Sequence, residues 1–198
     1  MNAPVHLGVL LSGSGRTLQN LIDRIAAGTL DARIEVVVSS NPEAFGLERA
    51  RKAGIPAAIV ARKPFRDPES HSRAVTEALE QRPLDLVILA GYIHLYLFPQ
   101  KWAGRVLNIH PALLPQFGGK GFYGHKVHEA VLASGARESG CTVHFADHQY
   151  DTGAIILQRK VPVLAGDTAD ALAERVFQAE CEAYPEAIRK VAAGAVLS

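Results

Sequence analysis

The stretch that decides the fold is residues 5–17, which read VHLGVLLSGSGRT. The mostly apolar segment Val5–Leu11 predicts a buried β-strand, and apolar residues at helical spacing predict a helix over Thr17–Ala27. The short Gly/Ser loop between them aims free backbone N–H groups at whatever lies above the sheet, which suits a phosphate group. The sequence therefore predicts a strand–loop–helix unit with an anion site, and a simple tight turn is the alternative.

The same alternation of strands and helices continues along the chain. Further strands are expected over 34–39, 57–60, 86–90 and 106–109, with helices over 46–53 and 68–80 between them. This order implies right-handed crossovers and an α/β fold with a mainly parallel sheet and helices on both faces. The last third differs, because a glycine-rich loop precedes a helix over 126–132, two strands over 141–145 and 155–161, and a helix over 168–191.

Composition bounds the function class. The 198 residues carry 21 Lys plus Arg against 20 Asp plus Glu, a balance that argues against a nucleic acid or an anionic membrane as the main partner. The cysteines Cys141 and Cys181 make no disulfide framework. No apolar run approaches the roughly 20 residues that span a bilayer, and the N-terminus does not resemble a signal peptide. We therefore expect a cytoplasmic protein with one well-buried core.

Two polar side chains stand at the end of the strand expected over 106–109. Asn108 and His110 fall on the same side of an extended chain, because side chains alternate along a strand. Ligands of open α/β sheets bind off the carboxyl ends of strands. An amide donor and an imidazole could there stabilise an oxyanion and move a proton, or could simply cap neighbouring backbone.

A carboxylate, Asp151, lies in the loop 146–153 between the two late strands. Beside His110 it would orient the ring and raise the pKa of the imidazole, leaving that ring partly charged near neutrality. The Asp-Thr-Gly sequence is also typical of a hairpin turn.

Other familiar motifs are absent from the sequence. The loop after the first strand has no Walker pattern, and Leu18 stands where the dinucleotide fingerprint needs its third glycine. Metal ligation is a rival use of the eight histidines, of which His125 with His128 and His144 with His148 have tolerable spacing. Without HExxH or a cysteine pair, we predict no metal site.

The motifs together resemble a known family. Residues 108–115, NIHPALLP, are followed by 140–145, GCTVHF, and by Asp151-x-Gly153, a set typical of folate-dependent formyltransferases. With Ser12-Gly13-Ser14-Gly15 added, the chain resembles the glycinamide ribonucleotide formyltransferases from Val5 to about Val191. The resemblance implies a single-domain, Rossmann-like formyltransferase fold over 1–198, with an antiparallel C-terminal strand pair. About 1–106 would form the nucleotide-binding half, and about 107–198 the catalytic and folate-binding half.

The activity that this resemblance implies is transfer of the formyl group of 10-formyltetrahydrofolate to the amine of glycinamide ribonucleotide in purine (IMP) biosynthesis. These two small molecules are the implied partners, with no metal, and the protein would be a monomer or homodimer. The implied catalytic residues are Asn108, His110 and Asp151. The implied ribonucleotide-binding residues are Gly13, Ser14, Gly15, Arg16, Thr17, Ile93 and Glu180. The implied folate-binding residues are Leu89, His94, Leu95, Tyr96, Val106, Ala146, Asp147 and Tyr150.

Residues 116–124, QFGGKGFYG, follow this motif, and we expect them to form a mobile lid because glycine lowers the cost of several backbone states. Three alternative functions stay open. A 10-formyltetrahydrofolate hydrolase would use a similar Asn-His-Asp set with water, but that family usually carries an extra N-terminal domain. A methionyl-tRNA formyltransferase would need an RNA-binding domain and a basic excess. The third alternative is a nucleotide-binding module without catalysis.

Overall fold

The computed structural model describes residues 3–195 and alternates strands with helices. The elements in chain order are β1 (Val5–Leu11), α1 (Arg16–Ala26), β2 (Ala32–Ser39), α2 (Phe45–Lys52), β3 (Ala57–Ile59), α3 (Pro68–Leu79), β4 (Leu86–Leu89), a 3₁₀ turn (Gln100–Trp102), β5 (Val106–His110), α4 (His125–Ala133), β6 (Glu138–Phe145), β7 (Ile155–Pro162) and α5 (Ala169–Ala192). Each strand and helix expected from the sequence is confirmed, with its ends shifted by a few residues at most. The 3₁₀ turn was not predicted.

The strands form a mixed sheet in the order β3-β2-β1-β4-β5-β6-β7. The pairs β1–β2, β1–β4 and β2–β3 are parallel, whereas β6–β7 is antiparallel. The predicted α/β class, with a mainly parallel sheet and an antiparallel C-terminal pair, is confirmed. The chain divides into two compact units, Met1–Leu107 and Asn108–Ser198. Within residues 3–195, no helix is both long and apolar enough to cross a bilayer.

The first unit is organised around β1. Its residues Leu7, Val9, Leu10 and Leu11 are fully buried, as expected for a strand of a parallel sheet that is covered on both faces. Helix α1 follows and buries its Leu18 and Leu21 side chains. The helix ends where the sequence predicts, because Gly28 has a φ of 69° and supplies the left-handed residue that closes many helices.

In the second unit, α5 packs against the β6–β7 pair. The hydroxyl of Thr168 caps the helix by accepting a hydrogen bond from the Ala171 N–H at 3.1 Å. Leu172, Val176 and Ile188 are buried with no exposed surface. Burial of these apolar side chains supplies most of the free energy that holds the helix in place.

Strand β6 begins three residues earlier than the sequence predicts, at Glu138. The added segment contains Gly140, which pairs with Lys160 of β7. A Cβ added at Gly140 would collide with the backbone carbonyl oxygen of Arg159. The extended conformation of this segment therefore depends on pairing with β7 and not on local sequence preference.

We expect Gly140→Ala to lower the free energy of unfolding by about 3 kcal/mol, because backbone atoms of β7 must move to admit the methyl group. Urea unfolding followed by circular dichroism measures the change. Ser139→Ala is the control on the same strand: the Ser139 hydroxyl is buried and, among the described residues, finds no hydrogen-bond partner, so its removal should leave stability unchanged or raised. Equal stability of the two variants would contradict the steric argument.

Candidate active site

The loop between β1 and α1 has its carbonyl oxygens engaged by neighbouring groups. Two of these oxygens accept from side chains: the Ser12 carbonyl from Asn41 Nδ2 at 3.3 Å and the Ser14 carbonyl from Arg49 Nε at 2.9 Å. The other two accept from backbone: the Gly13 carbonyl from the Gly46 N–H at 3.1 Å and the Gly15 carbonyl from the Gln19 N–H at 2.9 Å. In the described structure, no side chain caps α1 and no acidic residue lies in its first turn. The first-turn N–H groups and the positive end of the helix dipole therefore suit an anion.

Two glycines allow α2 to approach this loop. Gly15 has a φ of 69°, and a Cβ there would lie 2.6 Å from the Cα of Gly46. A Cβ on Gly46 would in turn lie 2.5 Å from Leu11 Cδ2. Real Cβ atoms do not approach backbone as closely as 2.6 Å, so the position of Gly15 requires glycine, whereas a side chain at position 46 would require the buried Leu11 side chain to move. The resemblance predicts that Gly15 helps to bind the phosphate, which stays a prediction; the structure shows that the close approach of α2 requires glycine there.

Ser12 ties three segments of the first unit together. Its hydroxyl lies 2.7 Å from the hydroxyl of Ser40, at the end of β2, and accepts a hydrogen bond from the Ile93 N–H at 3.1 Å. The main chain at Ile93 is thereby brought to the loop, while its side chain stays 54% exposed. This placement fits the predicted contact between Ile93 and the ribonucleotide, which stays a prediction.

The second cluster lies at the end of β5. The amide nitrogen of Asn108 donates to Asp151 Oδ1 at 3.2 Å, and His110 Nδ1 lies 3.4 Å from Asp151 Oδ2. The His110 and Asp151 side chains are only 4% and 9% exposed. The three residues that the sequence singled out therefore meet around one carboxylate, across 43 positions of the chain between Asn108 and Asp151.

His144 also belongs to this cluster, although the sequence indicated no role for it beyond weak metal-ligand spacing and membership of the motif over 140–145. Its Nδ1 donates to the carbonyl of Phe145 at 2.8 Å, so in the neutral ring Nε2 is an acceptor. That nitrogen accepts the second amide hydrogen of Asn108 at 3.1 Å. His144 and Asp151 together fix which way the Asn108 amide points. The signal that could have revealed it is a histidine between the apolar residues Val143 and Phe145 at the end of a predicted strand.

The predicted lid is docked on the same groups. His110 Nε2 donates to the Phe117 carbonyl at 2.7 Å, and the Gly119 N–H donates to Asp151 Oδ2 at 2.9 Å. Phe117 has a φ of 56°, a conformation that costs free energy in a residue other than glycine. Both ring nitrogens of His110 and both carboxylate oxygens of Asp151 therefore face protein groups.

Burial sets the charge of the imidazole. It lowers the pKa of His110 below 6.5, and the negative charge of Asp151 and the Phe117 carbonyl oppose this effect without cancelling it. The net shift of the His110 pKa is therefore opposite in direction to the one expected from the sequence, because removing the ring from water costs more than one nearby carboxylate returns. Burial raises the pKa of the Asp151 carboxyl, but His144 and His110, which attract the carboxylate when their rings are protonated, and the Gly119 N–H together hold it below its usual value.

The residues expected to bind folate in the first unit differ in exposure. Leu89, Tyr96 and Val106 are buried, and the Tyr96 hydroxyl lies 2.9 Å from Thr76 Oγ1. Burial raises the pKa of Tyr96 to about 12. His94 and Leu95 are half-buried, and the expected contacts of all five residues with folate stay predictions.

In the second unit, Glu180 lies half-buried on α5 and its charge contributes, after burial, to raising the pKa of the Cys141 thiol to about 12. Asp147 accepts hydrogen bonds from the Gln149 N–H and the Thr152 hydroxyl, and so stabilises the loop 146–153. Ala146 is half-buried and Tyr150 is 37% exposed in this loop. The binding roles expected for Glu180, Ala146, Asp147 and Tyr150 also stay predictions.

The histidine pairs do not form metal-binding clusters. Within residues 3–195, no group of three or more His, Cys, Asp or Glu side chains is placed to hold a metal ion. His125 Nε2 instead lies 3.2 Å from Asp170 Oδ1, and His144 is engaged with Asn108.

Comparison with known proteins extends these observations. The sequence pattern of the formyl transferase family matches residues 5–188. The phosphoribosylglycinamide formyltransferase of Haemophilus influenzae is 38% identical over 185 residues, covering 92% of this chain and 85% of the relative. The crystal structure of glycinamide ribonucleotide transformylase 1 from Symbiobacterium toebii superposes with a TM-score of 0.90 at 41% identity, covering 98% of this chain and 90% of that one.

Some relatives are much longer. The trifunctional purine biosynthetic protein adenosine-3 of Bos taurus is 43% identical over 193 residues, which is 96% of this chain. The chain spans about a fifth of the length of that relative, 19%. The match over residues 5–188 and the agreement in fold lead to one conclusion: the chain belongs to the formyl transferase family.

Proposed function

We propose that this protein transfers the formyl group of 10-formyltetrahydrofolate to the primary amine of glycinamide ribonucleotide. The products are formylglycinamide ribonucleotide and tetrahydrofolate. The observation that carries this proposal is the meeting of Asn108, His110 and Asp151 at the end of β5, in a chain whose relatives are named for this reaction. An amide, an imidazole and a carboxylate suffice for the reaction, because the substrate amine is itself the nucleophile.

The amine attacks the formyl carbon, a C–N bond forms, and the carbonyl electron pair moves onto oxygen. Asp151 takes the proton that the amine nitrogen loses and returns it to N10 of the folate as the C–N10 bond breaks. The lowered pKa of the Asp151 carboxyl keeps it ionised, and therefore able to accept this proton, near neutrality.

Stabilisation of the oxyanion requires the lid to release His110. In the neutral ring the single N–H is at Nε2, where it donates to the Phe117 carbonyl at 2.7 Å. Once that carbonyl leaves, the same N–H can donate to the formyl oxygen. The hydrogen bond that closes the lid and the one that stabilises the oxyanion therefore compete for one proton.

Asn108 is coupled to the proton transfer. One of its amide hydrogens is held by Asp151 Oδ1 at 3.2 Å and the other by His144 Nε2 at 3.1 Å. When Asp151 accepts a proton, it becomes a weaker acceptor. The amide hydrogen is then released toward the oxyanion at the moment when the negative charge develops.

The substrate contacts complete the proposal. The loop Gly13–Thr17 would hold the phosphate and Glu180 the ribose hydroxyls, while the folate-binding residues named above would supply mainly main-chain groups. Neither Cys141 nor Cys181 forms a disulfide, which fits a reaction in the reducing cytoplasm. The two substrates are the proposed partners, and the protein would act as a monomer or homodimer.

The decisive assay uses the purified protein with 10-formyltetrahydrofolate, with and without glycinamide ribonucleotide. We expect tetrahydrofolate to form only when the nucleotide is present, with one formylated nucleotide per folate consumed. Release of formate without the nucleotide would instead indicate the hydrolase, and no turnover under either condition would indicate a binding module.

Substitutions at the carboxylate cluster should abolish most of the turnover. Asn108→Ala removes an oxyanion donor, a loss of about 100- to 1,000-fold in kcat. Asp151→Asn and His110→Asn remove the proton acceptor and the second donor, and we expect losses of about 100- to 10,000-fold in kcat. His6→Asn is the control, since His6 pairs with Glu35 at 2.8 Å in the first unit. Near-normal turnover by any of the three cluster variants would overturn the assignment.

The protonation state of His110 can be measured directly. In an NMR titration of the ligand-free protein, the His110 ring should titrate with a midpoint below 6.5, because burial disfavours its charged form. Asp151→Asn should move the midpoint further down, since it removes the negative charge that raises the pKa. The spectrum of His110→Asn identifies the signal. A midpoint above 7, or one that rises in Asp151→Asn, would disprove this account.

A further inference from the structure

Arg49 links α2 to the loop that precedes α1. Its Nε donates to the carbonyl of Ser14 at 2.9 Å, and its Nη1 donates to Gln19 Oε1 at 3.0 Å. The guanidinium carbon lies 5.0 Å from the centre of the Phe45 ring, which helps to hold the side chain in place. Arg49 thus contacts the loop and the second turn of α1 at once.

The hydrogen bond from Arg49 to the Ser14 carbonyl would affect an anion bound at the start of α1. A carbonyl oxygen carries partial negative charge and would repel a phosphate if it turned toward the start of α1. The carbonyls of Gly13 and Gly15 are held by backbone N–H groups, whereas that of Ser14 is held by a charged side chain. Bonds from a charged donor are roughly twice as strong as neutral ones.

Arg49 also limits the conformations of the loop sterically. A Cβ added at Gly15 would lie 3.3 Å from Arg49 Cδ, so the arginine stem packs directly over the left-handed residue that starts α1. The same guanidinium holds Gln19 on the helix. The loop and α1 are therefore fixed relative to each other in the absence of ligand. This lowers the entropy cost of ordering the loop when a ligand binds.

We propose that Arg49 is a positioning residue for the phosphomonoester of the nucleotide substrate. It acts through the Ser14 carbonyl and Gln19, and it orders the N–H groups at the start of α1. The inference rests on the proposed function, since it assumes that this loop receives the substrate phosphate. It concerns nucleotide binding alone and leaves formyl transfer itself unchanged.

A lysine at position 49 would not reproduce both hydrogen bonds of Arg49. A lysine keeps the positive charge, but it lacks the planar fork that donates to two acceptors in fixed directions. If charge alone mattered, Arg49→Lys would behave like the wild type. If the two directed hydrogen bonds matter, Arg49→Lys and Arg49→Ala should both bind the nucleotide more weakly than the wild type.

The test compares steady-state kinetics of the wild type, Arg49→Lys, Arg49→Ala and Arg51→Ala. Both Arg49 variants should raise the KM for glycinamide ribonucleotide about ten-fold, the effect expected for losing a charged hydrogen bond. They should leave the KM for the folate and the kcat at saturation within about two-fold. The inhibition constant of inorganic phosphate, competing with the nucleotide, should rise in parallel. Arg51 is the matched control, because it lies on the same helix and pairs with Glu48 at 2.7 Å on the surface.

Each outcome decides the matter. A nucleotide KM that matches Arg51→Ala, or a normal KM in Arg49→Lys, would overturn the positioning role while leaving the proposed function intact. A fall in kcat with changes in both KM values would show a general structural loss and would also overturn it. A wild type without turnover would overturn the proposed function and this inference together.

Discussion

The candidate site depends on one buried carboxylate. Asp151 is 9% exposed at its side chain, and an ionised group in that position is tolerated only when its oxygens are hydrogen-bonded. The Asn108 amide and the Gly119 N–H supply those bonds. Asp151 itself has a φ of 59°, a costly conformation that the surrounding contacts offset. Hydrogen bonding to this carboxylate therefore connects three segments: the end of β5 through Asn108, the predicted lid through Gly119, and the loop 146–153, which carries Asp151 itself.

Most of the fold could be predicted from the sequence because its main signals are local. Strand β1 is a continuous apolar run, and α3 begins where Asp67 stands ready to cap it, its carboxylate accepting from the Ser70 N–H at 2.7 Å. The start of β6 could not be predicted in this way. Glu138, Ser139 and Gly140 are poor strand formers, and they are extended because β7 lies beside them.

The meeting of Asn108, His110 and Asp151 could be predicted from the sequence, whereas the pKa shifts of His110 and Asp151 could not. Strand alternation is enough to place Asn108 and His110 on one side, and both do contact Asp151. The direction in which the pKa of His110 shifts depends on burial, which no local pattern reports. The role of His144 and the Phe117 carbonyl depends on tertiary contacts in the same way, and a main-chain acceptor has no signature in a sequence.

The lid contacts explain how such a site stays stable without substrate. Buried donors and acceptors left without partners each cost about 1–3 kcal/mol, so the polar groups around Asp151 would destabilise the fold if they had no partners. The Phe117 carbonyl and the Gly119 N–H remove that cost by pairing with His110 and Asp151. The left-handed φ of Phe117 costs free energy and so offsets part of the stabilisation that these hydrogen bonds provide. Under the proposed function, a substrate that offers an acceptor to His110 would replace a strained contact, and release of that strain would offset part of the free energy that the exchange of partners costs.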